Sequence, residues 1–139
     1  MALNQKLTEK LRFGLVGGFN TLLDFGLLFA LVASGLDRIP ANYISTGISF
    51  IFSFFANRSF TFKSKQGRLG RQFSLFIIVT LIGLWVIQPI IIWGVTSVFA
   101  DSSWSEELIL LVAKLIATVA SLIWNYILYS RVVFKTGAN

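Results

Sequence analysis

The chain has 139 residues, of which 55% are apolar and 13% are charged. A soluble domain of this length could not bury that much apolar surface, so the composition indicates a membrane protein. Cysteine and histidine are both absent, which excludes disulfides, thiol nucleophiles, imidazole acid-base chemistry and soft metal sites. The net charge is +6, but the basic residues flank apolar runs instead of forming one stripe. We therefore expect membrane anchoring and no nucleic-acid partner.

Four apolar runs follow one another, and each is long enough to cross a bilayer core of roughly 30 Å at about 1.5 Å per helical residue. Asp24 interrupts the first run and Lys114 the fourth, while Gln88 and Pro89 in the long third run predict a tilt or a kink. The sequence thus predicts an all-α membrane protein, a single domain over 1–139. Its four transmembrane helices are expected at about 11–36, 39–62, 72–100 and 107–134.

Basic residues predict the orientation of these helices. One side of the membrane carries Lys6, Lys10, Arg12, Arg58, Lys63, Lys65, Arg68, Arg71, Arg131 and Lys135, whereas Arg38 stands alone on the other. By the positive-inside rule the first side is the cytoplasm. Both termini are therefore expected in the cytoplasm, and the chain is expected to be a multi-pass protein of the cytoplasmic membrane.

The second and fourth helices resemble each other. A gap-free shift of 72 residues aligns 41–63 with 113–135 and matches residues such as Ala41/Ala113, Ser49/Ser121 and Phe62/Phe134. This pattern favours two helical hairpins related as parallel repeats.

Small and polar residues recur at every fourth position of both helices: Ala41, Ser45, Ser49, Ser53 and Asn57 in one, and Ala113, Ala117, Ser121, Asn125 and Tyr129 in the other. Such a face lets helices approach closely, and Gly14-x-x-x-Gly18 in the first helix is expected to do the same.

The positions of Asp24 and Lys114 inside apolar helices require an explanation. Inserting an ionised side chain at the bilayer centre costs about 2.5–3.5 kcal/mol of free energy. One interpretation is an ion pair, or an anchoring role for the lysine. The other is a polar groove in which Lys114 meets an anionic group while Asp24 and Asn20, one turn earlier, bind a hydroxylated one.

The cytoplasmic ends of the second and fourth helices carry Asn57-Arg58 and Asn125 through Arg131. Arginine can bind phosphate oxygens with two parallel hydrogen bonds, so these ends could hold a lipid phosphate. Membrane anchoring with an aromatic belt is the alternative, although it does not explain the asparagines.

Three strings carry a resemblance to a known family: RFGLVGGFNTLLDF at 12–25, NRSFTF at 57–62, and AKLIAT followed by WNYILYSRVVF in the last helix. Together they resemble the GtrA-like family of small four-helix membrane proteins, over nearly the whole chain. One difference is Phe60, where the family often has tryptophan. The resemblance implies binding positions at Asn20, Asp24, Asn57, Arg58, Lys114, Asn125 and Arg131.

The resemblance also implies a function. Members of the family are thought to move a polyprenyl-phosphate-linked monosaccharide across the cytoplasmic membrane for surface polysaccharide or teichoic acid synthesis, beside a membrane glycosyltransferase. We therefore expect translocation of such a lipid, with no enzymatic activity, no cofactor and no metal.

Other functions remain open at this stage. The chain could be an accessory subunit that recruits or stabilises a glycosyltransferase, or a proton-coupled exporter with Asp24 as the exchange carboxylate. An enzyme using Glu106 and Glu107 as an acid-base pair is disfavoured, because adjacent helical residues point apart. Four helices alone can enclose a saccharide only incompletely. A homo-oligomer or a complex with a partner protein would enclose it better.

Overall fold

The computed structural model describes residues 2–135. This part of the chain consists of α-helices, three π-helical turns and short connections, and it contains no strand. Four of its helical segments are long and apolar enough to cross a membrane: Leu3–Ala33, Arg38–Thr61, Leu69–Val98 and Glu106–Val133. These spans confirm the predicted all-α fold with four transmembrane helices.

Helix α1 (Ala2–Ala33) is longer than the sequence predicted, because it begins at Ala2 instead of near residue 11. It ends in a two-bond cap: the Gly35 N–H donates to the Val32 carbonyl and the Leu36 N–H to the Leu31 carbonyl. Gly35 adopts a φ of 106°, a left-handed conformation that glycine reaches without the steric cost of a Cβ. This cap reverses the chain within a few residues and so makes a tight hairpin.

Helix α2 (Arg38–Ala56) returns beside α1 and continues into a π turn at Asn57–Thr61. Pro40 lies in the first turn of α2, where its missing N–H breaks no helical hydrogen bond. The rings of Phe19 and Phe52 lie 5.3 Å apart, which fixes how the two helices align. Together α1 and α2 form the first of two compact units, which ends at Gly67.

The second unit, Arg68–Lys135, begins with a span built from α3 (Leu69–Ile82), a π turn (Gly83–Ile87) and α4 (Gln88–Val98). The predicted irregularity near Pro89 therefore takes the form of a π turn one residue upstream of Gln88. Proline has no N–H to donate, and the preceding Gln88 N–H already bonds to Gly83, five residues back.

Helix α5 (Glu106–Leu128) completes the second unit and continues into a π turn at Tyr129–Val133. The Ser105 hydroxyl accepts a hydrogen bond of 3.2 Å from the Leu108 N–H, as a helix N-cap does. Glu106 and Glu107 lie in the first turn, where negative charge is stabilised by the helix dipole. Helix capping thus accounts for these two acidic residues.

The two units share local features at the predicted shift of 72 residues. The π turns Asn57–Thr61 and Tyr129–Val133 are related by that shift, and each is closed by a phenylalanine N–H, from Phe62 to Asn57 and from Phe134 to Tyr129. The small-residue faces are buried in both helices, with Ala41 and Ala113 completely inaccessible. The resemblance between the helices therefore extends from sequence to backbone geometry and burial.

Candidate functional site

In the first unit, two of the predicted site residues lie on one face of α1. Asn20 and Asp24 are four residues apart and half-buried. From Asp24 to the end of α1 at Ala33 the helix rises ~14 Å, which is about half of a bilayer core. Asp24 therefore lies about half a bilayer core from the C-terminal end of its span, and its position at the membrane midplane stays a prediction.

Ser49 on α2 lies at the same level. The contact between Phe19 and Phe52 sets the alignment of the antiparallel helices, so Ser49, three residues before Phe52, lies level with the turn between Asn20 and Asp24. Ser49 is buried. From its place on the small-residue face of α2, Ser49 was expected only to pack against a neighbouring helix.

These three residues share an unusual property. The Asn20 Oδ1, Asp24 Oδ1 and Ser49 Oγ atoms are buried, yet none has a hydrogen-bond partner among the described residues. A buried polar atom without a partner costs about 1–3 kcal/mol, and such atoms in a native protein call for a ligand or a water molecule. The middle of the first unit thus offers polar oxygens that a bound hydroxylated molecule could satisfy.

Two more such oxygens lie in the π turn that ends α2. The Asn57 amide donates to the Ser53 carbonyl over 2.9 Å, but its Oδ1 has no partner, and neither does the Thr61 hydroxyl, within residues 2–135. Both residues are 2% exposed. Since π turns often occur at functional sites, this end of α2 is a second candidate binding site.

Arg58, in the same π turn, has a structural role that the sequence did not predict. Its Nη2 donates to the carbonyls of Lys65 at 2.7 Å and Gly67 at 3.2 Å. The guanidinium therefore stabilises the loop that follows α2 and its π turn. This use of its donors reduces what Arg58 can offer to a phosphate.

In the second unit, Asn125 faces the π turn of the third span. A Cβ added at Gly83 would lie 3.1 Å from Asn125 Oδ1 and 3.3 Å from a ring carbon of Trp124, so this glycine is needed for the close approach. Asn125 Oδ1 is also buried without a partner in the described chain. It is the counterpart, in this unit, of the unsatisfied oxygens in the first.

Other polar groups of the second unit are well paired. Gln88 donates to the Ser121 hydroxyl over 2.8 Å, and the Trp124 indole donates to the Val79 carbonyl over 2.9 Å. The Tyr129 and Thr80 hydroxyls are hydrogen-bonded to each other. These bonds join the third span to the fourth.

Arg131 and Lys114 are both exposed in the second unit. Arg131 lies in the π turn that ends the fourth span, beside a cluster in which the Phe76 and Tyr129 rings stack at 4.7 Å. Lys114 lies ~12 Å along α5 from Glu106 by helical rise. Asp24 and Lys114 belong to different units, and their predicted pairing stays a prediction.

The predicted helix packing through Gly14 and Gly18 is wrong for the described chain. A Cβ at either position would meet no atom within 4 Å beyond its own turn of helix. In the described part of the chain the two glycines therefore face open space. Residues 2–135 also contain no group of three acidic side chains that could hold a metal ion.

The fold and these buried groups define an all-α, multi-pass membrane protein with polar positions inside its spans. The chain belongs to the GtrA/DPMS transmembrane domain family, whose model matches residues 12–134. It is also similar to the uncharacterized membrane protein YngA of Bacillus subtilis (strain 168), at 29% identity over 127 residues, covering 91% of this chain and 80% of that protein. Family membership supports a role in handling lipid-linked sugars for glycosylation.

Proposed function

We propose that the protein translocates a polyprenyl-phosphate-linked monosaccharide across the cytoplasmic membrane, for glycosylation of a cell-surface polysaccharide or teichoic acid. The observation that carries this proposal is the set of unpartnered oxygens of Asn20, Asp24 and Ser49 near the middle of the first unit's spans. A sugar supplies hydroxyl groups that can donate to the Asn20 and Asp24 oxygens and can also accept from the Ser49 hydroxyl. Neither a purely structural helix nor a lipid-facing one needs polar groups at that depth.

The chemistry of the lipid matches the distribution of side chains. Its tail can remain in the bilayer while the phosphate interacts with a cation. Arg131 at the end of the fourth span and Lys114 within it are exposed basic groups that suit this role. Arg58 contributes chiefly by ordering the loop, so of these two arginines Arg131 is the one left to contact phosphate.

The proposed activity forms and breaks no covalent bond. The sequence has no Gly-rich nucleotide-binding loop of the GxxxxGK[ST] kind, so we propose that consumption of the product or a gradient drives net movement. A membrane glycosyltransferase that makes the lipid-linked sugar is the proposed partner. Few residues of the first span are buried, which leaves room for that partner or for a second copy of the chain.

The test is transfer of a fluorescent polyprenyl-phosphate sugar between leaflets of liposomes that contain the purified protein. Asp24→Asn keeps the shape of the side chain but changes its charge and hydrogen bonding, and we expect it to slow transfer at least tenfold. Asp37→Asn is the matched control, since Asp37 is exposed at the start of α2 and makes no capping bond from its side chain.

Normal transfer by Asp24→Asn would contradict the role of this carboxylate. Absence of transfer by the native protein, even with the glycosyltransferase present, would favour an accessory subunit. A pH-dependent flux of small cations that requires Asp24 and no lipid would favour the exporter.

A further inference from the structure

An apolar groove runs along the α1–α2 hairpin, and none of the unpartnered oxygens lines it. Its volume is about 1060 Å³, and all the residues that line it belong to the first unit. Gly14, Gly18, Phe19, Phe52 and Phe60 are among the residues that line it. The groove exists because these glycines have no side chains and nothing else approaches them within 4 Å.

One end of the groove is basic. Among its lining residues, Lys10 alone is charged. The Arg12 guanidinium lies 5.4 Å above the ring of Phe60, which lines the same end. An apolar channel with cations at its mouth matches an amphiphile that has an apolar chain and an anionic head.

The dimensions fit a chain that enters from one leaflet. From Lys10 to Leu22, the two extremes of the α1 lining, the helix rises ~18 Å, which is more than half of a bilayer core. A molecule lying there with its head at Lys10 would bring its apolar chain, and not its sugar, to the level of Asn20. The groove therefore suits the tail of an amphiphile that enters from one leaflet.

We propose that this groove seats the isoprenoid chain of the carrier lipid, with its phosphate at Lys10 and Arg12. The inference rests on the proposed function, and it adds a binding site and an occupant to it. An isoprenoid chain carries a methyl branch on every unit, so it needs a wider channel than a straight acyl chain. Two glycines on one face of α1 provide that width.

The test compares two adjacent glycines. Gly17 and Gly18 are both exposed, and a Cβ at either meets nothing within 4 Å, but only Gly18 lines the groove. Gly18→Leu fills the groove, and Gly17→Leu adds the same side chain beside it. The probe is a polyprenyl phosphate with a diazirine in its chain, cross-linked to the full-length protein in nanodiscs of neutral phospholipid.

We expect Gly18→Leu to lower the cross-linking yield at least fivefold and Gly17→Leu to leave it unchanged. Equal yields from both variants would overturn the proposal. So would efficient competition by an anionic phospholipid with straight chains, since the groove would then hold ordinary lipid. A Gly18→Leu protein that labels normally but changes its oligomeric mass would assign the groove to a second copy of the chain.

A second pair of variants tests the position of the phosphate. Native protein should label more strongly with the polyprenyl phosphate than with the uncharged polyprenol, and Lys10→Gln should abolish that preference. Lys6→Gln, one turn earlier and exposed, is the control. A preference that survives Lys10→Gln would remove the phosphate from this end of the groove.

These results separate the groove from translocation itself. The native protein could be labelled in a way that Gly18→Leu abolishes and yet move no lipid between leaflets. That result would keep the groove as the binding site of the chain and reject translocation. The opposite result is also possible: the native protein transfers the lipid, and Gly18→Leu changes neither transfer nor labelling. That result would reject the groove as the binding site of the chain and leave the proposed translocation intact.

Discussion

Ser49 and Ser121 occupy equivalent positions in the two helices of the repeat, yet they have different surroundings. The Ser121 hydroxyl accepts a hydrogen bond from Gln88 over 2.8 Å, whereas the Ser49 hydroxyl is buried with no partner in the described part of the chain. The first arrangement stabilises the fold. The second leaves a polar atom available to the proposed ligand.

Replacing each serine by alanine should separate these roles. Ser121→Ala leaves the Gln88 amide without its acceptor and should lower the free energy of unfolding by roughly 0.5–2 kcal/mol, the range of hydrogen bonds between membrane helices. Ser49→Ala removes an unsatisfied atom, so stability should not fall, but transfer of the lipid-linked sugar should slow. Unfolding in mixed micelles and the liposome assay measure the two effects. A stability loss in Ser49→Ala equal to that in Ser121→Ala would contradict the assignment.

Arg58 illustrates how a residue of the right chemistry can be used elsewhere. The sequence places an arginine beside an asparagine at a helix end, which suits a phosphate. In the folded chain its guanidinium is bonded to the carbonyls of Lys65 and Gly67. A loop that lies seven to nine residues away in the sequence competes for the same donors, and sequence spacing does not reveal that competition.

At the scale of elements, three π turns interrupt otherwise regular spans. They begin at Asn57, Gly83 and Tyr129, and each contains or faces a predicted site residue: Asn57 and Arg58, Asn125, and Arg131 respectively. A π turn changes the direction of side chains and widens the helix locally. These turns therefore influence the direction of the polar side chains that they contain or face.

Gly83 is the position at which such a turn meets a neighbouring helix. Gly83→Val would force its side chain against Asn125 and Trp124, and overpacking of this kind costs about 1–3 kcal/mol. The matched control is Gly94→Val in the same span, where a Cβ meets nothing within 4 Å. We expect a lower melting temperature in detergent for Gly83→Val alone. Equal losses in both variants would mean that helix propensity, and not this contact, is responsible.

At the scale of the whole molecule, the absence of native cysteine makes the predicted orientation directly testable. Gln66→Cys and Ser103→Cys place single thiols in exposed connections on opposite ends of the spans. The positive-inside rule predicts that a membrane-impermeant thiol reagent labels Ser103→Cys in intact cells and Gln66→Cys only after the membrane is opened. The reverse pattern would invert the topology and the direction of the proposed phosphate path.

The spans and their positions could be predicted from the sequence because hydrophobic length is a local property. About twenty apolar residues form a helix in a bilayer whatever surrounds them, since every backbone group must be satisfied internally. The repeat and the buried face of α5 followed from spacing for the same reason. The distance of Asp24 from the C-terminal end of its helix also follows from counting residues.

The use made of each polar side chain depended on the tertiary structure. Spacing alone predicted a helix contact at Gly14 and Gly18, but in the described chain the two glycines line a groove. Spacing also placed Ser49 and Ser121 in one class, although Gln88 reaches only Ser121. Hydrogen-bond partners and open space depend on which residues of another helix arrive within a few ångströms, and no single helix encodes that.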